Sequence, residues 1–196
     1  MVRATSPSRS HTLRLNPWKD GFIQTINLLE QNEAVNNAKT VYVVFNENDF
    51  IEYLYEEDAI VLFETIGSKL GLLESVIIQV NISSKVPSVT IPPIQALTSL
   101  LRTENNNLNY LTMLGLRMEG NDLEMNGMIE ALRIHPSLHS VVVKKCTFSR
   151  HYHLNQLRTT LTSRDRMKHC DLLDNTILGE TCWADPVCLQ ISCVIS

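Results

Sequence analysis

The chain lacks the marks of most biochemical classes. Its 196 residues carry 17 Lys and Arg against 21 Asp and Glu, a net charge of −4. That balance excludes a strong general drive toward nucleic acid or acidic membranes. No apolar run approaches the roughly 18–20 residues of a spanning helix; the longest, such as 59–63, has five. Seven glycines are few for a phosphate-cradling protein. No P-loop, dinucleotide-binding, zinc-protease or nucleophile-elbow motif occurs. The six histidines and the acids are scattered, and no pairing among them is favoured by spacing. The expectation is a non-enzyme without a cofactor. Cys146, Cys170, Cys182, Cys188 and Cys193 are an odd count with no secretory signal. That predicts thiols in a reducing compartment.

What is present is a recurring spacing. Ala38, Val41, Val43 and Asn46 form one instance, and Leu73, Val76, Ile78 and Asn81 a second. Leu111, Leu114, Leu116 and Glu119 read as a third. Leu138, Val141, Val143 and Cys146 follow, then Met167, Cys170, Leu172 and Asn175. Residues two apart face the same side of a strand. The Asn or Cys three positions later sits where the chain leaves the strand, and an Asn amide there can satisfy turn and neighbouring backbone groups. The first positions are 35, 38, 27 and 29 residues apart (73−38, 111−73, 138−111, 167−138). The two long intervals predict insertions over 47–58, which is acidic, and 82–93, which holds Pro87, Pro92 and Pro93. Between strands the period becomes helical: Ile60, Phe63, Ile66 and Leu70; Ile94, Leu97, Leu100 and Leu101; Ile129 and Leu132; Leu154, Leu157 and Leu161.

Written out, the spacing is L-x-x-L-x-L-x-x-N/C, the pattern of a leucine-rich repeat. Residues 128–148, with the turn His135-Pro136-Ser137-Leu138, resemble the ribonuclease-inhibitor-like leucine-rich repeats; the resemblance covers roughly 38–178. It implies an α/β fold: a leucine-rich repeat solenoid with a short parallel β-sheet on the concave side and helices on the convex side. Strands are predicted near 41–45, 76–80, 114–118, 141–145 and 170–174, and helices near 59–70, 93–103, 124–134 and 152–163. Residues 22–31 read as a helix that caps the first repeat. The predicted organisation is a disordered or targeting tail over 1–19, a repeat domain over 20–178, and a C-terminal cap or tail over 179–196. The basic, hydroxyl-rich start resembles a transit peptide, yet a plain tail in a cytoplasmic protein is the preferred reading, with organelle targeting as its alternative.

In this register the central outward line reads Tyr42, Ile77, Gly115, Val142, Asp171. The line after it reads Val44, Gln79, Arg117, Lys144, Leu173, and the line before it Thr40, Ser75, Met113, Ser140, His169. Tyr42, Val44, Ile77, Gln79, Arg117, Val142, Lys144 and His169 are the candidate partner-binding residues. Arg117, Lys144 and His169 would make the C-terminal half locally basic. The expected partner is another protein, with no nucleic acid and no membrane; the alternative is a structural or vestigial repeat fragment without a dedicated ligand. A metal site from Cys146, His151, His153 and Cys170 is weaker, because the repeat already explains both thiols. The spacing of Cys182, Cys188 and Cys193 fits no common zinc pattern, so no metal is expected. The glycosylation sequon at Asn81 coincides with a ladder position and reads as accidental.

Overall fold

The structure, a computed structural model, describes residues 12–33, 35–46, 56–81, 94–104, 107–118, 120–177 and 192–193. The predicted tail segment 1–11, most of the insertions (47–55 and 82–93), Glu119, and most of the C-terminal segment (178–191 and 194–196) lie outside the described residues. The chain runs β1 (Thr12–Leu15), α1 (Pro17–Asp20), α2 (Phe22–Gln31), β2 (Thr40–Asn46), α3 (Glu56–Lys69), β3 (Ser75–Asn81) and α4 (Ile94–Arg102). It continues through β4 (Tyr110–Leu114), β5 (Arg117–Met118), α5 (Asp122–Ile134), β6 (Ser140–Lys144) and β7 (Thr147–Phe148). It ends with α6 (His151–Thr162), β8 (His169–Asp171), β9 (Thr176–Ile177) and β10 (Ser192–Cys193).

The main sheet has the order β1-β2-β3-β4-β6-β8-β10. Every neighbouring pair is parallel except β8 with β10. Strands alternate with helices along the chain, so each step between parallel neighbours is a crossover connection. Val41, Val43, Val76, Ile78, Leu111, Met113, Val141, Val143 and Cys170 share one buried cluster with Leu62, Phe63, Ile66, Leu97, Leu100, Met128, Leu132, Leu157 and Leu161 of the helices. One face of the sheet is therefore lined by helices and the alternate residues occupy the other.

The strand entrances repeat at the level of single atoms. The Lys39 carbonyl accepts from the amides of Glu74 and Ser75. The Glu74 carbonyl accepts from Asn109 and Tyr110, that of Asn109 from His139 and Ser140, and that of His139 from Lys168 and His169. Positions 39, 74, 109, 139 and 168 are thus equivalent. The residue before each is Ala38, Leu73, Leu108, Leu138 or Met167, all buried. The intervals become 35, 35, 30 and 29 residues (73−38, 108−73, 138−108, 167−138).

That equivalence corrects the third repeat. Its spacing predicts a strand over 114–118, but the strand is Tyr110–Leu114. Leu111 pairs with Val141 and Met113 with Val143, while Thr112 rather than Gly115 joins the line of Tyr42, Ile77 and Val142. Leu116 takes the place of Cys146, three residues on from Met113. Both registers satisfy an L-x-x-L-x-L pattern, because Leu108, Leu111, Leu114 and Leu116 overlap in it; the shared carbonyls decide between them.

The start of the chain also departs from its sequence reading. Residues 12–15 of the predicted tail are β1, with Leu13 opposite Val41 and Leu15 opposite Val43. Leu15 is 1% exposed. The alternation Leu13-x-Leu15 is the signal, masked by the Arg- and Ser-rich composition around it.

In the last three repeats the chain turns sharply after the strand. Gly115, Lys145 and Asp174 have φ of 70°, 54° and 58°, and each turn leads into a two-residue strand. These strands make a second parallel sheet, β5-β7-β9. Asn175 shows how a ladder amide serves such a turn. Its Oδ1 accepts from the Cys146 amide at 2.9 Å, and its Nδ2 donates to the carbonyls of Val143 and Leu172, both at 2.9 Å.

Candidate functional site

The sheet face opposite the helices is the site to build. Its central line reads Arg14, Tyr42, Ile77, Thr112, Val142, Asp171, each directly opposite the next. The line before it reads Thr12, Thr40, Ser75, Tyr110, Ser140, His169. The line after it includes Val44, Gln79, Leu114 and Lys144. Adjacent strands lie about 4.8 Å apart, so each line is nearly continuous. Tyr42, Ile77, Thr112 and Val142 are only half-buried and stand outside the core cluster.

Of the candidate residues, Tyr42, Ile77, Val142, Gln79, Lys144 and His169 fall on this face. Val44 shares their side of the sheet but is 2% exposed, so it offers a partner almost nothing. Arg117 is not on the face at all. It belongs to β5 and pairs with Thr147 in the second sheet, because the third repeat sits three residues from its predicted register. Met113, placed outward by that register, is fully buried. Thr112, Tyr110 and Leu114 take the places of Gly115, Met113 and Arg117. Taking Leu108 as the first position, which nearly equalises the repeat lengths, would have found them from sequence.

The expected basic patch is also absent from the face. With Arg117 elsewhere, Lys144 and His169 remain, and the Lys144 Nζ meets Asp171 Oδ2 of the neighbouring strand at 2.5 Å. Asp171 further accepts from the Leu173 amide at 3.2 Å. The C-terminal part of the face therefore carries a neutralised pair. At the strand entrance Lys39 and Glu74 are paired at 2.6 Å, and the Tyr110 ring meets His139 edge-on with centroids 4.9 Å apart. Tyr110 is 46% exposed. Between Arg14 on the first strand and His169 on the last, the central surface is apolar and hydroxylic.

The residues weighed for metal or catalysis have other partners. Cys146 is fully buried, and its thiol donates to the Lys144 carbonyl at 3.4 Å; burial pushes that thiol up to about 12. His151 Nδ1 lies 2.9 Å from Asn155 Nδ2. His153 Nε2 lies 3.0 Å from Asp122 Oδ1, and Ser149 Oγ is 3.3 Å from its Nδ1. Spacing gave no hint of this Ser–His–Asp line, since its members come from two repeats. The imidazole is fully buried, however, and Arg150 also binds both Asp122 oxygens at 3.0 Å. The arrangement ties the start of α5 to α6.

The turn His135-Pro136-Ser137-Leu138 is held on both sides. His135 Nδ1 accepts from the Leu138 amide at 3.3 Å, and Ser137 Oγ donates to the Leu108 carbonyl at 2.9 Å. The Arg164 guanidinium donates to the carbonyls of Leu132, His135 and Leu138. Burial, helped by that guanidinium, lowers His135 to about 4. An open depression of about 790 Å³ lies on α2 and its end, lined by Gln24, Asn27, Leu28, Gln31, Asn32 and Glu33. Among the described residues no helix is long and apolar enough to cross a membrane.

No protein-family model and no curated protein matches the chain. Among solved structures it is similar to a tropomodulin C-terminal domain from Caenorhabditis elegans, at 13% identity and a TM-score of 0.45, over 78% of this chain and 83% of that one. A likeness of that degree assigns neither fold family nor activity.

Proposed function

We propose that the chain is a leucine-rich repeat solenoid of the ribonuclease-inhibitor-like kind, and a non-enzymatic module that binds another protein on its concave sheet face. The observation that carries the reading is the central line Tyr42, Ile77, Thr112, Val142. It is a continuous row of partly exposed apolar and hydroxyl groups on the face the helices leave open. Stacked repeats supply such extended surfaces because each unit buries its apolar side only against its neighbours. Apolar groups aligned on one face give a partner area to bury. The repeat assignment itself is supported by the recurring strand-entrance carbonyls and by the Asn175 amide.

The test is capture with the full chain as bait, followed by variants that keep the core intact. A partner held by the wild type should be lost on Ile77→Arg with Val142→Arg and retained on Arg117→Glu, which alters the second sheet. Circular dichroism and the unfolding midpoint establish that both variants fold. Retention by the double variant would overturn the concave-face reading. No partner under any condition would favour a structural repeat fragment without a dedicated ligand.

A further inference from the structure

The open sheet face keeps its unpaired charge at its two ends. Arg14 on β1 is exposed, and so are His169 on β8 and Lys168 just before it. Lys168 belongs to the strand-entrance positions, and the Tyr110–His139 ring contact shows that this row borders the face. Among the described residues no carboxylate pairs with Arg14 or Lys168. Of the residues named in the three lines of the face Asp171 alone is acidic, and Lys144 neutralises it. The face is thus cationic at its ends in a chain of net charge −4. Between the ends lie the half-buried Tyr42, Ile77, Thr112 and Val142, flanked by the hydroxyl row Thr40, Ser75 and Tyr110.

We propose that the partner takes the form of an extended segment of another protein, laid across the strands, with an acidic residue at each end and apolar side chains between. This rests on the reading of the face as a docking surface and adds the chemistry of what docks. The length follows from the sheet order, which separates β1 from β8 by five strand spacings. At about 4.8 Å each that is about 24 Å. An extended chain advances about 3.3–3.6 Å per residue, so the two acids stand about seven residues apart. One carboxylate meets the Arg14 guanidinium, whose fork suits two parallel hydrogen bonds; the other meets the Lys168 ammonium. The apolar middle buries Tyr42, Ile77 and Val142. The hydroxyl row lies beside the segment, where it can bond backbone groups that an extended chain leaves unpaired and a helix satisfies internally. A basic segment would bring like charges together at both ends, which selects against it.

The experiment pans a randomised dodecapeptide library over the folded full chain and measures the enriched peptides by fluorescence anisotropy. The expected consensus carries Asp or Glu at two positions about six to eight residues apart, with apolar residues between them. Arg14→Glu and Lys168→Glu should each weaken binding about tenfold. Replacing the matching peptide acid by Lys should restore binding to the reversed variant and weaken it to the wild type. Both substituted residues are exposed, and circular dichroism establishes that the variants fold. A consensus without acids, lost on Ile77→Arg with Val142→Arg, would leave the docking face standing and overturn the acidic-segment proposal. Peptides that bind that double variant as well as the wild type would overturn both. A peptide bound as a helix, a library that yields no binder, or a dimer of the free chain dissociated by the double variant would each overturn the proposal.

Discussion

The second and third strands and the three later repeats solve the same problem differently. β2 and β3 run seven residues each and stay extended and in register through Asn46 and Asn81. β4, β6 and β8 stop after five, five and three residues. Their chains turn through a positive φ into the second sheet. The equivalent positions explain the contrast: Phe45 and Val80 in the early repeats, Gly115, Lys145 and Asp174 in the later ones. An aromatic or β-branched residue resists the left-handed region, whereas Gly adopts it freely and Asp and Lys reach it at a tolerable cost. Asn at the ladder position does not by itself end the strand. The residue before it decides.

Gly115 stands at the boundary between the two regimes. A Cβ there would lie 2.7 Å from the Val80 carbonyl oxygen, because β3 runs straight where β4 turns. Lys145 occupies the same position one repeat later, where its equivalent neighbour is Gly115.

The largest effect expected from disturbing this contrast is at Leu116, 1% exposed and in the place of Cys146. Leu116→Ala should cost about 2–5 kcal/mol, while Val142→Thr on the open face should change stability by about 0.5 kcal/mol or less. Urea midpoints for the two variants check which residue faces the core and which the open side, and reversed magnitudes would refute that placement.

Acid should weaken the later repeats next. His135 is held near 4 in the fold against about 6.5 unfolded. Its neutral form is favoured in the folded chain, so the full contribution is present above about pH 6.5 and is lost as pH falls toward 4. The loss amounts to at most about 3 kcal/mol. Protonation also removes the Nδ1 acceptor of the Leu138 amide. His135→Asn retains an acceptor and does not titrate. Its stability should be flatter between pH 7 and pH 4 in parallel denaturation series, and an unchanged slope would acquit this histidine.

Gly115→Ala should cost about 2 kcal/mol, from a left-handed Cβ and its contact with the Val80 carbonyl. Hydrogen exchange should rise at the β3–β4 boundary and remain low in β6. Lys145→Gly should do the reverse on a smaller scale. Relief of the side-chain strain slightly exceeds the backbone entropy lost, for a gain of about 0.5 kcal/mol in stability, seen as a higher thermal midpoint. Destabilisation by Lys145→Gly would mean that its side chain, not its backbone, holds the turn.

Much of this was legible in the residues. Helical and strand periods located α2 to α6 and strands β2, β3, β6 and β8 within a few residues, since the buried face of each element must recur at its own period. The role of a ladder amide, seen at Asn175, also followed from the need to satisfy turn backbone. At the site, Tyr42, Ile77 and Val142 were legible for the same reason, because alternation places every second residue outward once the register is known. Tertiary structure alone decided between two overlapping leucine patterns in the third repeat. It thereby moved Arg117 off the face and put Thr112 on it. It recruited Leu13 and Leu15 into the sheet against Val41 and Val43, and it turned Lys144 toward Asp171. Periodicity is a property of one segment, read along the chain; register, pairing and neutralisation are relations between segments, and neighbouring backbone carbonyls and charges select them only when the chain is folded.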